Sequence, residues 1–269
     1  MSYNKSEMVA KFHAIVEKYV GPRRIDGVKK LLNHLENSSD FFTAPASSKK
    51  MFHLCCYGGL AMHTYNFILC MLDEVESLFG DRKIEGLFWG NTPDKSMAHI
   101  ETLRESAVIV GLCHDLNKSK IWGKCYYVPN FLKGGKQSDA EPYRVTADRV
   151  ALGSMQQILL AHEFIDLKGD EAQAIRYAEG LYDSSYRQDI GNKEELLTYL
   201  AHFADMKASQ IVEYVNPWTR DHTTFREHLA KQNNEGSSDP RDGLMSGSMP
   251  LPTMDPILET TLVDPNLKG

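Results

Sequence analysis

The chain has 269 residues, of which 42% are hydrophobic and 25% are charged, a composition typical of a globular protein with one or two domains. Its formal net charge of −6 disfavours a sequence-independent nucleic-acid binder, which normally carries an excess of basic residues. We expect a cytoplasmic protein without a membrane span, because the sequence shows no apolar run of about 20 residues, no signal-peptide core and no CxxC spacing among its five cysteines.

Apolar residues recur at α-helical spacing through about the first 230 positions. The pattern predicts helices over residues 8–19, 25–35, 60–79, 100–116, 146–166, 169–182, 193–215 and 219–232. Residues 37–48 are predicted to form a loop, and Lys124–Val128, ahead of Pro129, has the alternation of a short strand. The fold class is therefore predicted to be all-α, with a short irregular or β insertion.

The composition changes from residue 233 onward, where asparagine, glycine, serine and proline accumulate. Five of the eleven prolines lie between Pro240 and Pro265. A segment of this kind buries too little apolar surface to offset its ordering entropy. We therefore divide the chain into a helical domain, 1–232, and a tail, 233–269. The helical domain is predicted to consist of N-terminal helices in 1–36 and a core in 41–215. The tail is expected to be disordered or to dock on the body or on another subunit of a homo-oligomer.

Four polar residues lie in strongly apolar surroundings. His63 falls inside one predicted helix, His114 and Asp115 end another, and Asp205 falls in a third. A single buried histidine is usually a satisfied core residue. An adjacent His-Asp pair needs partners, however, and a divalent cation satisfies both side chains at once. Two imidazoles and two carboxylates suit Mn²⁺, Fe²⁺, Co²⁺, Ni²⁺ or Zn²⁺.

These four residues, in this order, resemble the H…HD…D pattern of the HD-domain metal-dependent phosphohydrolases. The sequence around them is similar to a bacterial and phage branch related to the HD domain of a 3′→5′ exoribonuclease. The similar segments, within residues 41–213, are Phe42–Ser47, His53, Gly58-Gly59-Leu60, His63-Thr64, His114–Lys118 and Ala174-Ile175-Arg176. The resemblance implies one divalent transition metal held by His63, His114, Asp115 and Asp205. A second metal is not expected, because residues 151–154 and 176–179 lack the further histidines that some branch members carry there.

The resemblance also implies hydrolysis of a phosphoester or phosphoanhydride bond, and we expect the substrate to be a nucleoside mono- or triphosphate. Asp115 would orient the attacking water. Lys118, one turn after His114, would contact a phosphate, although a solvated helix-end cation fits it equally well. His53 would be an outer partner of the ligands, a substrate contact or a proton donor. The three candidate catalytic residues are therefore Asp115, Lys118 and His53.

The stretch 119–145 interleaves basic and aromatic residues, which suits a base and its phosphates as well as a solvated loop. The candidate substrate-binding residues are Lys118, Lys124, Arg144 and Arg176. His162 and His202 are further candidates for the site, with a helix surface and the core as the alternatives. Two other functions stay open: a 3′→5′ nuclease on single-stranded RNA or DNA, and a non-catalytic HD-fold protein that senses a ligand or acts as a scaffold.

Overall fold

Seven α-helices and one small antiparallel sheet make up the described part of the protein. The computed structural model describes residues 3–80, 94–120, 125–146, 155–180, 190 and 193–213, which all lie within one unit, Met1–Thr219. The helices are α1 Lys5–Tyr19, α2 Ile25–Asn37, α3 Gly59–Leu78, α4 Met97–Cys113, α5 Met155–Phe164, α6 Gly169–Tyr177 and α7 Leu196–Lys207. A 3₁₀ turn, Leu116–Lys118, follows α4, and a π-helical turn, Ala208–Val212, follows α7.

The described residues confirm the predicted all-α class, and the predicted β insertion is a two-stranded antiparallel sheet. Strand β1, Tyr127–Pro129, pairs with strand β2, Tyr143–Val145, with Val128 opposite Arg144. The strand was predicted at 124–128, and its partner was not predicted. No helix in the described ranges is long and apolar enough to cross a membrane.

The four helices predicted before residue 120 are each found within three residues of their predicted bounds. Helix α5 ends at Phe164, two residues before the end of the predicted segment 146–166. Helix α6 ends at Tyr177, whereas the predicted segment 169–182 continues beyond it. The predicted segment 193–215 contains α7 and the π-helical turn. The predicted helix 219–232 and the boundary of the tail at residue 233 lie outside the described residues.

Helix α3 is the central element, and it packs against α4 and α7. Phe67 and Ile68 on α3 and Leu112 on α4 are almost completely buried at this junction. Gly111 permits the close approach, because a side chain there would collide with Ile68. As a result, the beginning of α3, the end of α4 and the second half of α7 meet at one place.

A buried charged network connects the turn between α1 and α2 with α4 and α6. The guanidinium of Arg24 donates to Glu171 on α6 at 2.7 Å and to Glu105 on α4 at 2.6 Å. Glu171 is fully buried, and it also accepts from the Ser106 hydroxyl at 2.6 Å and from the Lys168 backbone N–H at 2.9 Å. These hydrogen bonds satisfy the buried carboxylate of Glu171, and the network therefore fixes α6 against α4.

Candidate metal centre

The four side chains predicted as metal ligands converge where α3, α4 and α7 meet. The Nε2 atoms of His63 and His114 are 3.3 Å apart, and His63 Nε2 is 3.3 Å from Asp205 Oδ1. Asp115 Oδ2 lies 3.6 Å from His63 Nε2 and 3.7 Å from His114 Nε2. Ligand atoms that share one metal at about 2.1 Å are roughly 3.0–3.4 Å apart, so the separations among His63, His114 and Asp115 fit a common cation after a small contraction.

Both imidazole rings are held through their other nitrogen. His63 Nδ1 donates to the carboxylate of Glu213 at 2.9 Å, and His114 Nδ1 donates to the backbone carbonyl of Gly111 at 2.7 Å. The ring of Phe67 stacks on His114 with 3.9 Å between centroids. Because both partners are acceptors, the hydrogen of each neutral ring is on Nδ1 and the two Nε2 lone pairs face each other. This is the arrangement of metal-ligating histidines with outer-shell partners.

The site requires a positive charge between its four acceptor atoms. Burial lowers the pKa of His63, but Glu213 and Asp205 outweigh burial and raise it to about 10, so a proton takes this place when no metal does. Burial alone would raise the pKa of Asp115, yet Lys118 and the two histidines hold it well below its usual range. The group of His63, His114 and Asp115, whose ligand atoms lie within 4.8 Å of one another, could hold a divalent metal, and Asp205 adds a carboxylate 3.3 Å from His63.

Glu213 also contacts this cluster, through His63, and it was not among the residues predicted from the sequence. It lies eight residues after Asp205, which in a continuous α-helix would put the two side chains roughly 80° apart around the axis. The π-helical turn, closed by the Glu213 N–H to the Ala208 carbonyl at 2.9 Å, takes up one extra residue and returns Glu213 to the face of Asp205. Asn66 also donates to its carboxylate, at 3.2 Å. In the sequence, the signal that could have pointed to it was a glutamate eight residues after Asp205.

The metal centre lies at a cavity of about 300 Å³. Its lining comprises Ala46, Ser47, Phe52, His53, His63, His114, Asp115, Lys118, Tyr127, Glu179, Asp205, Ser209 and Gln210. The three candidate catalytic residues are therefore all at the cavity. Lys118 is not a solvated cation: its side chain is 18% exposed and its Nζ lies 2.8 Å from Asp115 Oδ2.

His53 presents an unsatisfied nitrogen in this cavity. Its Nε2 is buried and has no hydrogen-bond partner among the described residues, and it lies 4.0 Å from the Glu213 carboxylate. Burial, reinforced by the neighbouring His63, lowers the pKa of His53 to about 4. The ring is therefore neutral near pH 7 and can exchange a hydrogen bond with a ligand of the cavity.

The Gly58-Gly59 pair before the first histidine has a steric explanation. Gly58 has a φ of 74°, which a residue with a side chain rarely adopts, and a side chain at Gly59 would collide with the carbonyl of Leu54. That carbonyl accepts from the backbone of Ala46 at 3.2 Å, and the Ser47 hydroxyl donates to the carbonyl of His53 at 2.7 Å. The two glycines therefore let the loop that carries His53 lie directly against the start of α3.

The remaining candidates lie away from the cavity lining or outside the described residues. Arg144 is exposed on β2, the guanidinium of Arg176 lies 4.9 Å from the ring centre of Tyr177, and Lys124 falls outside the described ranges. His162 is exposed on α5. His202 packs against Gly180, with its Nδ1 3.3 Å from the Ala178 carbonyl.

A second group of metal-ligating atoms, from His53, His63 and Glu213, lies within 4.8 Å among the described residues. It shares His63 with the first group, and Glu213 already accepts from His63 Nδ1, so it does not form an independent site. No protein-family model, curated protein or solved structure matches this chain. A function must therefore be argued from the metal centre, its cavity and the sequence resemblance.

Proposed function

We propose that the protein is a metal-dependent phosphohydrolase of the HD-domain type that hydrolyses a phosphoester or phosphoanhydride bond of a nucleotide. The observation that carries the proposal is the convergence of His63, His114, Asp115 and Asp205 at one cavity, in the order of the H…HD…D pattern. The cavity makes this cluster accessible to a small molecule, which a purely structural cluster does not need.

The four side chains would hold one divalent metal, with Glu213 and the Gly111 carbonyl fixing the two imidazoles. Such a metal, when bound, promotes attack by water near neutral pH and offsets negative charge on phosphoryl oxygens. Of the carboxylates, Asp115 has the position to orient the attacking water, because Lys118 holds one of its oxygens and the other is left for a further hydrogen bond.

Lys118 and His53 have separate roles toward the substrate. The Lys118 ammonium has three N–H donors and uses one on Asp115, so the others can bind a phosphoryl oxygen. His53 is neutral near pH 7, and its unpartnered Nε2 is available to a phosphate or leaving-group oxygen. Because its pKa is low, we assign it a hydrogen bond to the substrate rather than the storage of a proton.

The direct test is phosphate release from a panel of nucleotides in the presence of Mn²⁺, Co²⁺ or Ni²⁺. We expect turnover by the wild type and its loss in Asp115→Ala, because that variant lacks a ligand and the residue that orients water. Asp139→Ala is the matched control, since Asp139 is an exposed aspartate paired with Lys136 and does not line the cavity. Metal content measured on the same preparations should fall in His114→Ala and persist in His162→Ala, whose histidine is exposed.

Three outcomes would contradict the proposal. Turnover of labelled single-stranded RNA without turnover of mononucleotides would identify a nuclease. Stoichiometric metal without turnover of any substrate would identify a non-catalytic sensing or scaffold protein. Equal metal in the wild type and in His114→Ala would show that the metal centre itself is assigned wrongly.

A further inference from the structure

One side of the cavity is aromatic. Phe52 and Tyr127 are the aromatic residues among its described lining, and Phe52 is 49% exposed although it is a large apolar side chain. Its backbone is fixed by a hydrogen bond from the Phe52 N–H to the Lys49 carbonyl at 3.0 Å. Tyr127 lies on β1, and its hydroxyl lies 3.5 Å from the carbonyl of Ala46, another lining residue. An exposed apolar ring at the cavity is stabilised when the flat face of a ligand covers it.

The charge of the metal centre limits how many phosphates it can accept. Asp115, Asp205, Glu213 and Glu179, which also lines the cavity, carry four negative charges, and a divalent metal together with Lys118, the one cation among the described lining residues, offsets three of them. The metal-loaded cavity therefore keeps a net negative charge. A phosphate monoester adds about two negative charges and a triphosphate roughly four, so the monoester suits this centre better.

The size of the cavity agrees with a small ligand. Its volume of about 300 Å³ is at the lower end of the range for small-molecule sites, which runs from about 300 to 1,000 Å³. His53, which also lines the cavity, has a buried ring nitrogen without a hydrogen-bond partner among the described residues. The cavity thus combines a site for one phosphate with an aromatic side.

We propose that the ligand of this cavity is a nucleoside monophosphate whose phosphate lies at the metal centre and whose base is bound by Phe52 and Tyr127. This inference rests on the proposed function for its reaction, but not for its binding. It assigns Phe52 as the principal specificity-determining residue, because its exposed ring is the larger free aromatic surface.

The test measures binding without turnover. Nucleoside 5′-phosphonates, in which a methylene group replaces the ester oxygen, and the matching ribose 5-phosphonate without a base are titrated into the Mn²⁺-loaded protein by calorimetry. We expect the nucleoside compound to bind more tightly than the ribose compound, and Phe52→Ala to reduce this preference about tenfold. Phe52→Trp should retain it. Phe131→Ala is the matched control, since Phe131 is 63% exposed and does not line the cavity.

The number of phosphates is tested by competition. A nucleoside triphosphate should displace the bound nucleoside phosphonate at least about tenfold less well than the monophosphate does. Equal losses of both phosphonates in Phe52→Ala, or a triphosphate that competes as well as the monophosphate, would overturn the inference. Base-dependent binding without any phosphate release would leave the inference standing and overturn the proposed function, so the two failures are distinguishable.

Discussion

At the scale of single residues, the position of one hydrogen on each imidazole decides the chemistry of the metal centre. The Gly111 carbonyl and the Glu213 carboxylate both accept from Nδ1, which leaves the Nε2 lone pairs of His63 and His114 facing each other at 3.3 Å. Two lone pairs at this distance repel each other unless a proton or a metal lies between them. Glu213 would therefore act on a bound metal through His63, as a positioning residue.

Glu213→Gln tests this role. The amide oxygen of glutamine can still accept from His63 Nδ1, but the negative charge that makes His63 a better ligand is lost. We expect the affinity for Mn²⁺ or Co²⁺, measured by calorimetry, to fall by about 10- to 100-fold with little change in fold. Glu141→Gln, which removes a half-exposed carboxylate paired with Lys49, should bind metal as the wild type does. An unchanged affinity in Glu213→Gln would show that Glu213 only fills space.

At the scale of elements, the packing of a loop against the start of α3 positions residues of the candidate site. The loop that carries His53 lies against Gly59 so closely that a Cβ atom there would meet the Leu54 carbonyl. Leu54 itself has a φ of 43°, a strained value for a residue with a side chain. The close contact therefore fixes both His53 and the first turn of the helix that carries His63.

Gly59→Ala is expected to lower the free energy of unfolding by about 1–3 kcal/mol, because the loop must move to admit the methyl group. Urea unfolding followed by circular dichroism measures this change. Gly134→Ala is the matched control, since a Cβ atom at Gly134 meets nothing within 4 Å. Equal stability of the two variants would mean that the loop and α3 are not in close contact in solution.

The elements also show what the sequence could predict and what it could not. Apolar periodicity placed α3 and α4 within three residues, because the buried faces of these helices repeat regularly. The π-helical turn Ala208–Val212 has no such signal. Its one extra residue shifts the apolar repeat of the sequence by a single position, which is too small a change to recognise. Strand β2 was missed because its three residues depend on pairing with Tyr127–Pro129, a contact made only in the folded chain.

At the scale of the whole molecule, the candidate site is a property of the packing. The sequence predicted which four residues could be ligands, but their meeting depends on how α3, α4 and α7 pack. It also predicted Arg144 and Arg176 at the substrate. Arg144 lies on β2 and Arg176 on α6, and neither is among the described residues that line the cavity. The packing of α4 is in turn secured by the network of Arg24, Glu105 and Glu171.

This network predicts how the fold responds to acid. Burial would raise the pKa of Glu171, but hydrogen bonds from Arg24, from Ser106 and from the Lys168 N–H outweigh burial and lower it. The folded-state pKa is thus below the ordinary value of about 4.5. The carboxylate therefore stabilises the fold fully above that pH, and the stabilisation is lost as the pH falls through the folded-state pKa.

Glu171→Gln should consequently destabilise the protein by about 3–5 kcal/mol at neutral pH, because the largely buried Arg24 loses a charged partner. The difference in the free energy of unfolding between the wild type and this variant should then shrink in acid, where Glu171 of the wild type is protonated. Urea unfolding at neutral pH and at about pH 3 measures both effects. Glu17→Gln, which removes an exposed carboxylate paired with Lys29, should follow the wild type at each pH. A difference for Glu171→Gln that stays constant with pH would mean that the packing of α6 on α4 depends on the shape of this side chain and not on its charge.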